Sequence, residues 1–266
     1  YQTAYLKYYY PVEFMAALLT SVIDNSGKVA EYIYSCRQMG IQILPPDINK
    51  SVGTFSVENG NIRFGLTAIK SVGRPVIQAI IEERNERGEF KHLKDFIERM
   101  GGREVNKRTI ENFIKAGVFD SLGGTRKQFM MIYIQIMDQV NQERKYSMTG
   151  QMSLFDLVDD EQKKEFEIPL PKVGEYEKEN KLAFEKEVLG VYLTGHPLED
   201  YEEKWKKSIS RTTLDFQIDD ETGRSRVRDG AKEIVGGMIT NKTIKYTRNN
   251  KTMAFLTIED LMGTVE

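Results

Sequence analysis

Apolar residues recur at helical spacing through most of the first 40 residues of the chain. The segment "VEFMAALLTSV" follows Pro11, which suits the first turn of a helix because its missing N–H would be unsatisfied there. The polar stretch "NSG" then breaks the pattern, and "KVAEYIYSCRQMG" resumes it up to Gly40. The pattern predicts that residues 1 to 40 are helical, before the short run "IQILPPD" is stopped by two prolines.

The next segment, "TFSVENGNIRFGL", alternates in the manner of a strand. Phe55 and Val57 lie on one side of "ENGN", and Ile62 and Phe64 lie on the other. Asn-Gly tolerates the positive φ angles that a two-residue turn between antiparallel strands requires. The segment therefore predicts a β-hairpin.

Residues 66 to 146 return to helical spacing with short connections. The last run has the clearest apolar stripe, which comprises Phe129, Ile132, Tyr133, Ile136, Met137 and Val140. An all-helical region follows from this spacing. Its predicted helices span about 65–71, 74–86, 92–99, 106–116 and 125–145.

The remainder of the chain divides into four segments with different predicted structures. Residues 147 to 173 have no sustained period and are predicted to be a linker, whereas residues 174 to 206 are helical with a break at "TGHPLED". A polar tract to residue 230 is predicted to be a loop. The segments "EIVGGMITNKTIKYT" and "KTMAFLTIEDLMG" then predict two strands joined by a turn, and the chain stops as a third strand would begin. The predicted class is α+β, mostly helical.

Composition limits the kind of protein and its compartment. No apolar run of the 266 residues approaches the ~20 residues of a membrane span, so we expect no membrane partner. The single Cys36 excludes an intrachain disulfide and suits a reducing compartment, so a cytoplasmic location is expected. Cys36, His92 and His196 are too few for a zinc site of nitrogen and sulfur ligands. Because the chain opens on Tyr1 rather than Met, we expect a fragment of a longer protein.

Charge is distributed unevenly although the net charge is only −2. Residues 61 to 130 contain 14 Lys/Arg against 9 Asp/Glu, and residues 156 to 206 contain 8 against 15. A basic block beside an acidic one indicates a polyanion-binding module followed by a segment that avoids nucleic acid. The alternative is two unrelated solvated surfaces.

The segment "GLTAIKSVGRPVIQAIIEE" predicts a helix, a short loop and a second helix. Ser71 and Gly73 are small enough for the loop backbone to approach a ligand closely, and the second helix begins with free N–H groups. Lys70 and Arg74 add positive charge on either side of the loop. These features favour a phosphate-binding helix–hairpin–helix.

A second hairpin is predicted in "VNKRTIENFIKAGVFDSLGGTRKQFMMI". Its loop contains Gly117, and its charge comes from Lys107, Arg108, Arg126 and Lys127. Two such hairpins can hold both backbones across a minor groove of duplex DNA without reading bases, which predicts strong salt dependence. The alternative is an ordinary helical bundle with glycines in its turns.

The order of these segments resembles the alpha subunit of bacterial DNA polymerase III over essentially the whole chain. The opening "YQTAYLKYYYPVEFMAALLTS" is similar to the end of that family's fingers domain. The family's hairpin region resembles "FSVENGNIRFGLTAIKSVG" and "VNKRTIENFIKAGVFDSLG", and a later signature resembles "EKEVLGVYLTGHPLEDY". The last 34 residues are similar to the first strands of its OB domain. Ser71 departs from the family, which often has Gly there, so a less permissive turn is expected.

The resemblance implies a division of the chain into five parts. They are the end of the fingers with a β-hairpin (1–64), tandem helix–hairpin–helix motifs (65–146), a loop with a clamp-binding peptide (147–173), a helical segment (174–207), and a linker with the first OB strands (208–266). The OB strands could offer Tyr246, Arg248 and Phe255 as a stacking surface for single strands, or could use them as core and turn residues.

The resemblance also implies an activity for the parent protein, which is a DNA-directed DNA polymerase, a nucleotidyltransferase that uses Mg²⁺. The family's metal-binding carboxylates would lie upstream of Tyr1. Acidic pairs such as Asp159-Asp160 and Asp219-Asp220 lie in polar tracts with no strand to fix them. We therefore expect no catalytic residue, metal site or cofactor in this segment, and expect it to be inactive in synthesis.

One peptide remains, "TGQMSLFDLVDDEQ", which places apolar residues where no helix or strand could bury them. The residues Gln151, Met152, Ser153, Leu154 and Phe155 resemble the Q-x-[SD]-L-F peptide with which replicative polymerases bind their sliding clamp. The alternative is that Leu154 and Phe155 pack onto the chain's own helices. The partners implied are duplex DNA, the sliding clamp and other replisome subunits.

Two other functions remain open from the sequence. A stand-alone DNA-binding repair or recombination protein would also combine helix–hairpin–helix motifs with an OB-like domain. A scaffold that binds only protein is the third hypothesis, and salt-dependent binding to duplex DNA would exclude it.

Overall fold

A computed structural model describes residues 2–102, 105–148, 168–218 and 223–266 of the chain. These residues form two compact units, Tyr1–Leu193 and Thr194–Glu266. The predicted clamp-binding peptide and the acidic pairs Asp159-Asp160 and Asp219-Asp220 lie outside the described residues.

The first unit begins with the helices that the apolar spacing predicts. They are α1 (Gln2–Tyr9), α2 (Pro11–Ser21) and α3 (Ser26–Gln38). Pro11 occupies the first turn of α2, and the side chain of Asn25 caps α3 by accepting a hydrogen bond from the Lys28 N–H at 3.1 Å. Met15, Leu19 and Ile33 point into the core.

A small sheet follows these helices. Its strands are β1 (Ile43–Leu44), β2 (Ser56–Glu58) and β3 (Asn61–Arg63), in the order β1-β3-β2. The predicted hairpin is confirmed, because Asn59 (φ 51°) and Gly60 (φ 74°) form the turn between the antiparallel pair β2 and β3. Strand β1 adds in parallel to β3.

Four helices form the centre of the unit. They are α4 (Arg74–Arg87), α5 (Leu93–Met100), α6 (Lys107–Ala116) and α7 (Arg126–Met148). Buried phenylalanines join α5, α6 and α7 through the α6–α7 connection, where the ring centroids of Phe96 and Phe119 lie 5.0 Å apart. The predicted helix 65–71 is wrong: only Leu66–Ala68 form a single 3₁₀ turn. The spacing of the buried Leu66 and Ile69 is helical, but three residues cannot establish an α-helix.

The helix α8 (Lys178–Leu189) completes the first unit and packs against α6. Residues of both the predicted fingers segment and the predicted hairpin region share one hydrophobic core. The finer division at residue 64 therefore stays a prediction.

The second unit is a small α+β assembly. It contains α9 (Glu202–Ser208), a 3₁₀ turn (Thr213–Phe216) and the strands β4 (Met238–Tyr246), β5 (Thr252–Glu259) and β6 (Thr264–Val265). The strands pair antiparallel in the order β4-β5-β6, as the sequence predicts for β4 and β5. Asp260, which is 2% exposed, accepts hydrogen bonds from the N–H and Oγ1 of Thr213 at 2.7 and 2.6 Å. Tyr246 is 77% exposed, so it is no core residue of this unit.

Candidate nucleic-acid interface

The first predicted loop lies on the surface and opens α4. Gly73 is the N-cap residue of α4 and has no side chain with which to cap the first turn. Pro75 follows in that turn without an N–H of its own. Ser71 has a φ of 62°, the left-handed region that favours glycine, which explains why a glycine would also suit this position. Ser71, Gly73 and Arg74 are all exposed.

A second loop, between α5 and α6, faces the same groove as the first. The groove has a volume of about 630 Å³ and is lined by Ser71, Gly73, Val76, Gly102, Val105, Asn106 and Thr109. Asn106 caps α6, because its Oδ1 accepts a hydrogen bond from the Thr109 N–H at 2.9 Å. The starts of α4 and α6 thus border one groove.

The second hairpin between α6 and α7 stays a prediction, and the groove adds the connection between α5 and α6 as a second candidate. The residues between α5 and α6 carry signals that would have located the loop, namely the pair Gly101-Gly102 and Asn106 ahead of an apolar helix. The structure gives Gly102 a φ of 75°, a value that favours glycine.

Three of the predicted cations are exposed near the two helix starts. The guanidinium of Arg74 forms an ion pair with Asp24 at 3.2 Å, and the Lys107 ammonium forms one with Asp138 at 3.3 Å. All four of these side chains are more than half exposed, and Arg108 is exposed as well. Exposed ion pairs of this kind contribute ~1 kcal/mol or less, so a phosphate can replace either carboxylate.

Lys70, which is predicted to add charge beside the first loop, is exposed and forms three hydrogen bonds within the chain. Its Nζ donates to the carbonyl oxygen of Glu187 at 3.0 Å, and its backbone N–H donates to the carbonyl oxygen of Val188 at 2.8 Å. Its own carbonyl oxygen accepts a hydrogen bond from Asn112 Nδ2 at 2.8 Å. Lys70 therefore links the first loop to α6 and α8.

The connection between α6 and α7 is enclosed by ion pairs. Gly117 ends α6 with a φ of 79°, and a Cβ at this position would overlap the guanidinium of Arg126. Arg126, whose side chain is 3% exposed, binds Asp120 at 2.9 Å and Glu185 at 3.3 Å. A buried guanidinium cannot reach a phosphate, so Arg126 and Gly117 are structural and the predicted DNA contacts at both are wrong.

The environment of Arg126 keeps its guanidinium charged. Burial by itself lowers the pKa of Arg126, but the hydrogen bond and charge of Asp120, together with the charge of Glu185, outweigh it and raise the pKa. Glu185 is 1% exposed and also accepts the Leu193 N–H at 2.9 Å. The group stabilises α8 against the α6–α7 connection.

The first turn of α7 is already satisfied within the chain. Thr125 and Gln128 form a capping box: Thr125 Oγ1 accepts the Gln128 N–H at 3.2 Å, and Gln128 Oε1 accepts the Thr125 N–H at 2.9 Å. The carboxylate of Glu175 accepts the N–H groups of Arg126 and Lys127 at 3.1 and 3.2 Å. The sequence "TRKQ" carries this capping signal, which the prediction missed.

Lys127, the last predicted DNA contact, is half-buried and its ammonium lies 5.9 Å from the centroid of the Tyr176 ring. More of the basic block is internal than its charge suggests. Arg63 binds Glu58 through two hydrogen bonds of 2.7 and 2.8 Å, and Arg99 binds Glu83 at 3.0 Å. Charge count alone therefore overstates the surface available to a polyanion.

Metal binding and membrane insertion have no candidate in the described ranges. Within residues 2–102, 105–148, 168–218 and 223–266, no three His, Cys, Asp or Glu residues gather as metal ligands. Among the helices of those same ranges, none combines the length and apolar character that crossing a membrane requires.

Comparison with known proteins agrees with this geometry. A family model described as a helix-hairpin-helix motif matches residues 40–129, which include both loops of the groove. The whole chain is 36% identical to DNA polymerase III subunit alpha of Mycobacterium tuberculosis and 37% identical to the subunits of Borreliella burgdorferi and Vibrio cholerae. It spans 22%, 23% and 22% of the length of these relatives. The chain belongs to the DNA polymerase III subunit alpha family, of which it represents about a fifth of the length.

Proposed function

We propose that this chain binds the sugar–phosphate backbone of duplex DNA without reading its sequence. The observation that carries the proposal is the convergence of two loops and two helix starts on one groove, within the region that matches a helix-hairpin-helix motif. Backbone N–H groups at a helix start and the helix dipole both attract a phosphate. Glycine and serine in the loops allow that phosphate to approach the backbone.

The exposed cations complete the proposed interface. Arg74 follows the first loop, and Lys107 and Arg108 follow the second. Each phosphate that they neutralise releases condensed counterions, so affinity falls as salt rises. Contacts of this kind carry no base information, which suits a module that must hold any sequence.

Fluorescence anisotropy with labelled duplexes of unrelated sequence, repeated at several salt concentrations, tests this proposal. We expect equal affinity for the duplexes, and we expect Lys107→Ala/Arg108→Ala to lower the slope of log affinity against log salt by about 1–2. Lys127→Ala serves as the matched control, because Lys127 lies against Tyr176 at the α6–α7 connection. Salt-independent binding, or an equal loss in the control variant, would contradict the proposal.

Within a longer DNA polymerase III subunit, such a segment would hold the duplex while other parts of the chain carry out synthesis with Mg²⁺. We propose that the segment alone does not incorporate nucleotides, and that other replisome subunits bind elsewhere on the longer chain. A primer-extension assay with the isolated segment tests the first statement. Template-directed synthesis that survives removal of contaminating polymerases would overturn it.

The peptide Gln151 to Phe155 is proposed to bind the sliding clamp. Its support is the match to the clamp-binding pattern and its place between α7 and α8. Burying Leu154 and Phe155 contributes ~1.5–3 kcal/mol each, and ordering the peptide offsets part of this gain. We therefore expect an affinity near the micromolar range, about −8 kcal/mol, which DNA binding by the same chain would reinforce.

Surface plasmon resonance with immobilised clamp tests the clamp proposal. Leu154→Ala/Phe155→Ala should abolish measurable binding, while Asp159→Ala/Asp160→Ala, in the same tract, should leave it within about twofold. Clamp binding by the Leu154→Ala/Phe155→Ala variant at the original affinity would refute docking through this peptide.

A further inference from the structure

We propose that Asn112 is a positioning residue of the DNA-binding groove, which holds the first loop at a fixed distance from the second. The inference rests on the proposed DNA binding. Asn112 is 8% exposed and does not line the groove, so it has no predicted contact with DNA. Its Nδ2 instead donates to the carbonyl oxygen of Lys70 at 2.8 Å, across 42 residues of sequence.

A hydrogen bond to the Lys70 carbonyl can control the conformation of the first loop. It belongs to the peptide unit that enters Ser71, the residue with φ 62° at the turn of the first loop. Because a trans peptide unit is planar, its C=O and N–H point in opposite directions. Fixing the Lys70 carbonyl toward Asn112 therefore also fixes the direction of the Ser71 N–H and the start of the loop.

Asn112 is attached to the second loop through α6. Lys107 begins α6 directly after that loop, and Asn112 lies five residues further along the helix, about 7.5 Å along its axis. One rigid helix thus carries both the start that borders the groove and the amide that holds the opposite loop. Val188, at the end of α8, holds the same Lys70 residue by accepting its N–H at 2.8 Å.

The spacing of the two loops matters because successive phosphates on DNA lie at fixed distances. If the first loop shifts, only one helix start can engage a phosphate at a time, and the number of counterions released falls. Displacement of the first loop should therefore reduce the salt slope of DNA binding, whereas a loss of stability alone should not. The described residues offer a matched control in Asn49, whose Nδ2 donates to the Phe90 carbonyl at 2.9 Å and whose Oδ1 accepts the Phe90 N–H at 2.8 Å.

The experiment compares Asn112→Leu with Asn49→Leu by thermal unfolding and by anisotropy with duplex DNA over a salt series. We expect both variants to unfold at lower temperature, and only Asn112→Leu to bind DNA about tenfold more weakly with a salt slope reduced by about 1. Asn112→Ser, whose hydroxyl is too short to reach Lys70, replaces Asn112→Leu if that variant does not fold.

The outcomes separate this inference from the proposed function. Original affinity and slope in a folded Asn112 variant would overturn the positioning role, as would an equal loss in Asn49→Leu. If the unmodified chain shows no salt-dependent binding, the proposed function fails and the inference fails with it.

Discussion

The groove between the two loops and the connection between α6 and α7 share the same local sequence features. Each has glycine, neighbouring basic residues and the start of a helix. At the groove, Gly73 leaves the start of α4 without a capping side chain, and Arg74 is 71% exposed. At the α6–α7 connection, Glu175 accepts the first N–H groups of α7, and the Arg126 side chain is 3% exposed.

The difference between the two regions comes from residues far away in the sequence. Glu175 and Glu185 lie 49 and 59 residues after Arg126, and they place carboxylates where a phosphate would otherwise be expected. A helix–hairpin–helix motif alone therefore does not establish a phosphate site, because acidic residues far away in the sequence can occupy the place of the phosphate. Local glycine and charge predict a turn and a helix start, whereas access to solvent depends on the whole unit.

Among substitutions in the two regions, removal of the buried guanidinium should cause the largest loss in the free energy of unfolding. Arg126→Ala would remove the guanidinium that lies 3.3 Å from the carboxylate of Glu185, a side chain only 1% exposed, and we expect a loss of ~3–5 kcal/mol in the free energy of unfolding. Urea denaturation followed by circular dichroism measures the loss. Arg74→Ala removes an exposed arginine and should cost ~1 kcal/mol or less.

A second control removes the charge at both ends of the same ion pair. Arg126→Leu/Glu185→Gln removes both charges but keeps an oxygen that can accept the Leu193 N–H, so it should recover much of the stability lost in Arg126→Ala. A loss below ~1 kcal/mol in Arg126→Ala would mean that the α6–α7 connection is open to solvent after all.

Glycine at the closed connection should tolerate substitution less than a glycine with open space around it. Gly117 has a φ of 79°, and a Cβ there would lie 2.7 Å from Asp120 Oδ2 and would overlap Arg126. Gly123 has a φ of 80° with no atom within 4 Å of the same position. We expect Gly117→Ala to cost ~2–4 kcal/mol and Gly123→Ala ~1–2 kcal/mol, since only the former adds a clash to backbone strain.

Chemical denaturation of the two variants measures this difference. Equal losses would show that backbone strain alone determines the cost and that Arg126 moves aside freely. Neither variant should change the salt slope of DNA binding while it is folded, because the α6–α7 connection makes no proposed phosphate contact.

Sequence alone determined most of the elements and fewer of the contacts. Helix α4 was predicted at 74–86 and lies at Arg74–Arg87, because helical spacing and Pro75 are local signals. The Asn59-Gly60 turn was predicted for the same kind of reason. The predicted DNA contact of Arg126 was wrong, since its burial depends on Asp120 and on a carboxylate 59 residues away.

The position of the second hairpin shows the same limit at the level of a motif. Two connections flank α6, and each contains glycine and has basic residues in the helix that follows it. Contacts between α4 and α5, which no local signal predicts, accompany a groove that Gly102, Val105 and Asn106 share with the first loop. The capping box of Thr125 and Gln128 was readable in the sequence, and it indicates a helix start whose N–H groups are already engaged.

A smaller effect is expected where a carboxylate caps α7. Glu175→Gln removes the charge beside the first turn but keeps an oxygen that can accept a hydrogen bond, so we expect a loss of ~0.3–1 kcal/mol at low ionic strength. Equilibrium unfolding at low and high salt measures it, and high salt should reduce the difference. A gain in DNA affinity would indicate that the start of α7 takes a phosphate once the carboxylate is removed.

The smallest effect on stability should come from glycine at the open loop. Gly73 has φ −73° and ψ 144°, which any residue adopts, and the nearest atom to an added Cβ would be Pro75 Cδ at 3.6 Å. We therefore expect Gly73→Ala to change the free energy of unfolding by less than ~0.5 kcal/mol, because alanine restricts the unfolded chain but is less favourable than glycine at an N-cap, so the two effects oppose each other. Anisotropy should nevertheless show about three- to tenfold weaker DNA binding, since the added methyl group holds a phosphate away from the N–H groups of α4.

Gly117→Ala should show the opposite pattern, with stability lost and the affinity of the folded protein retained. If Gly73→Ala binds DNA as tightly as the unmodified chain, close approach of a phosphate at this loop is not required. Gly73 and Gly117 would then differ only in what their substitution does to stability.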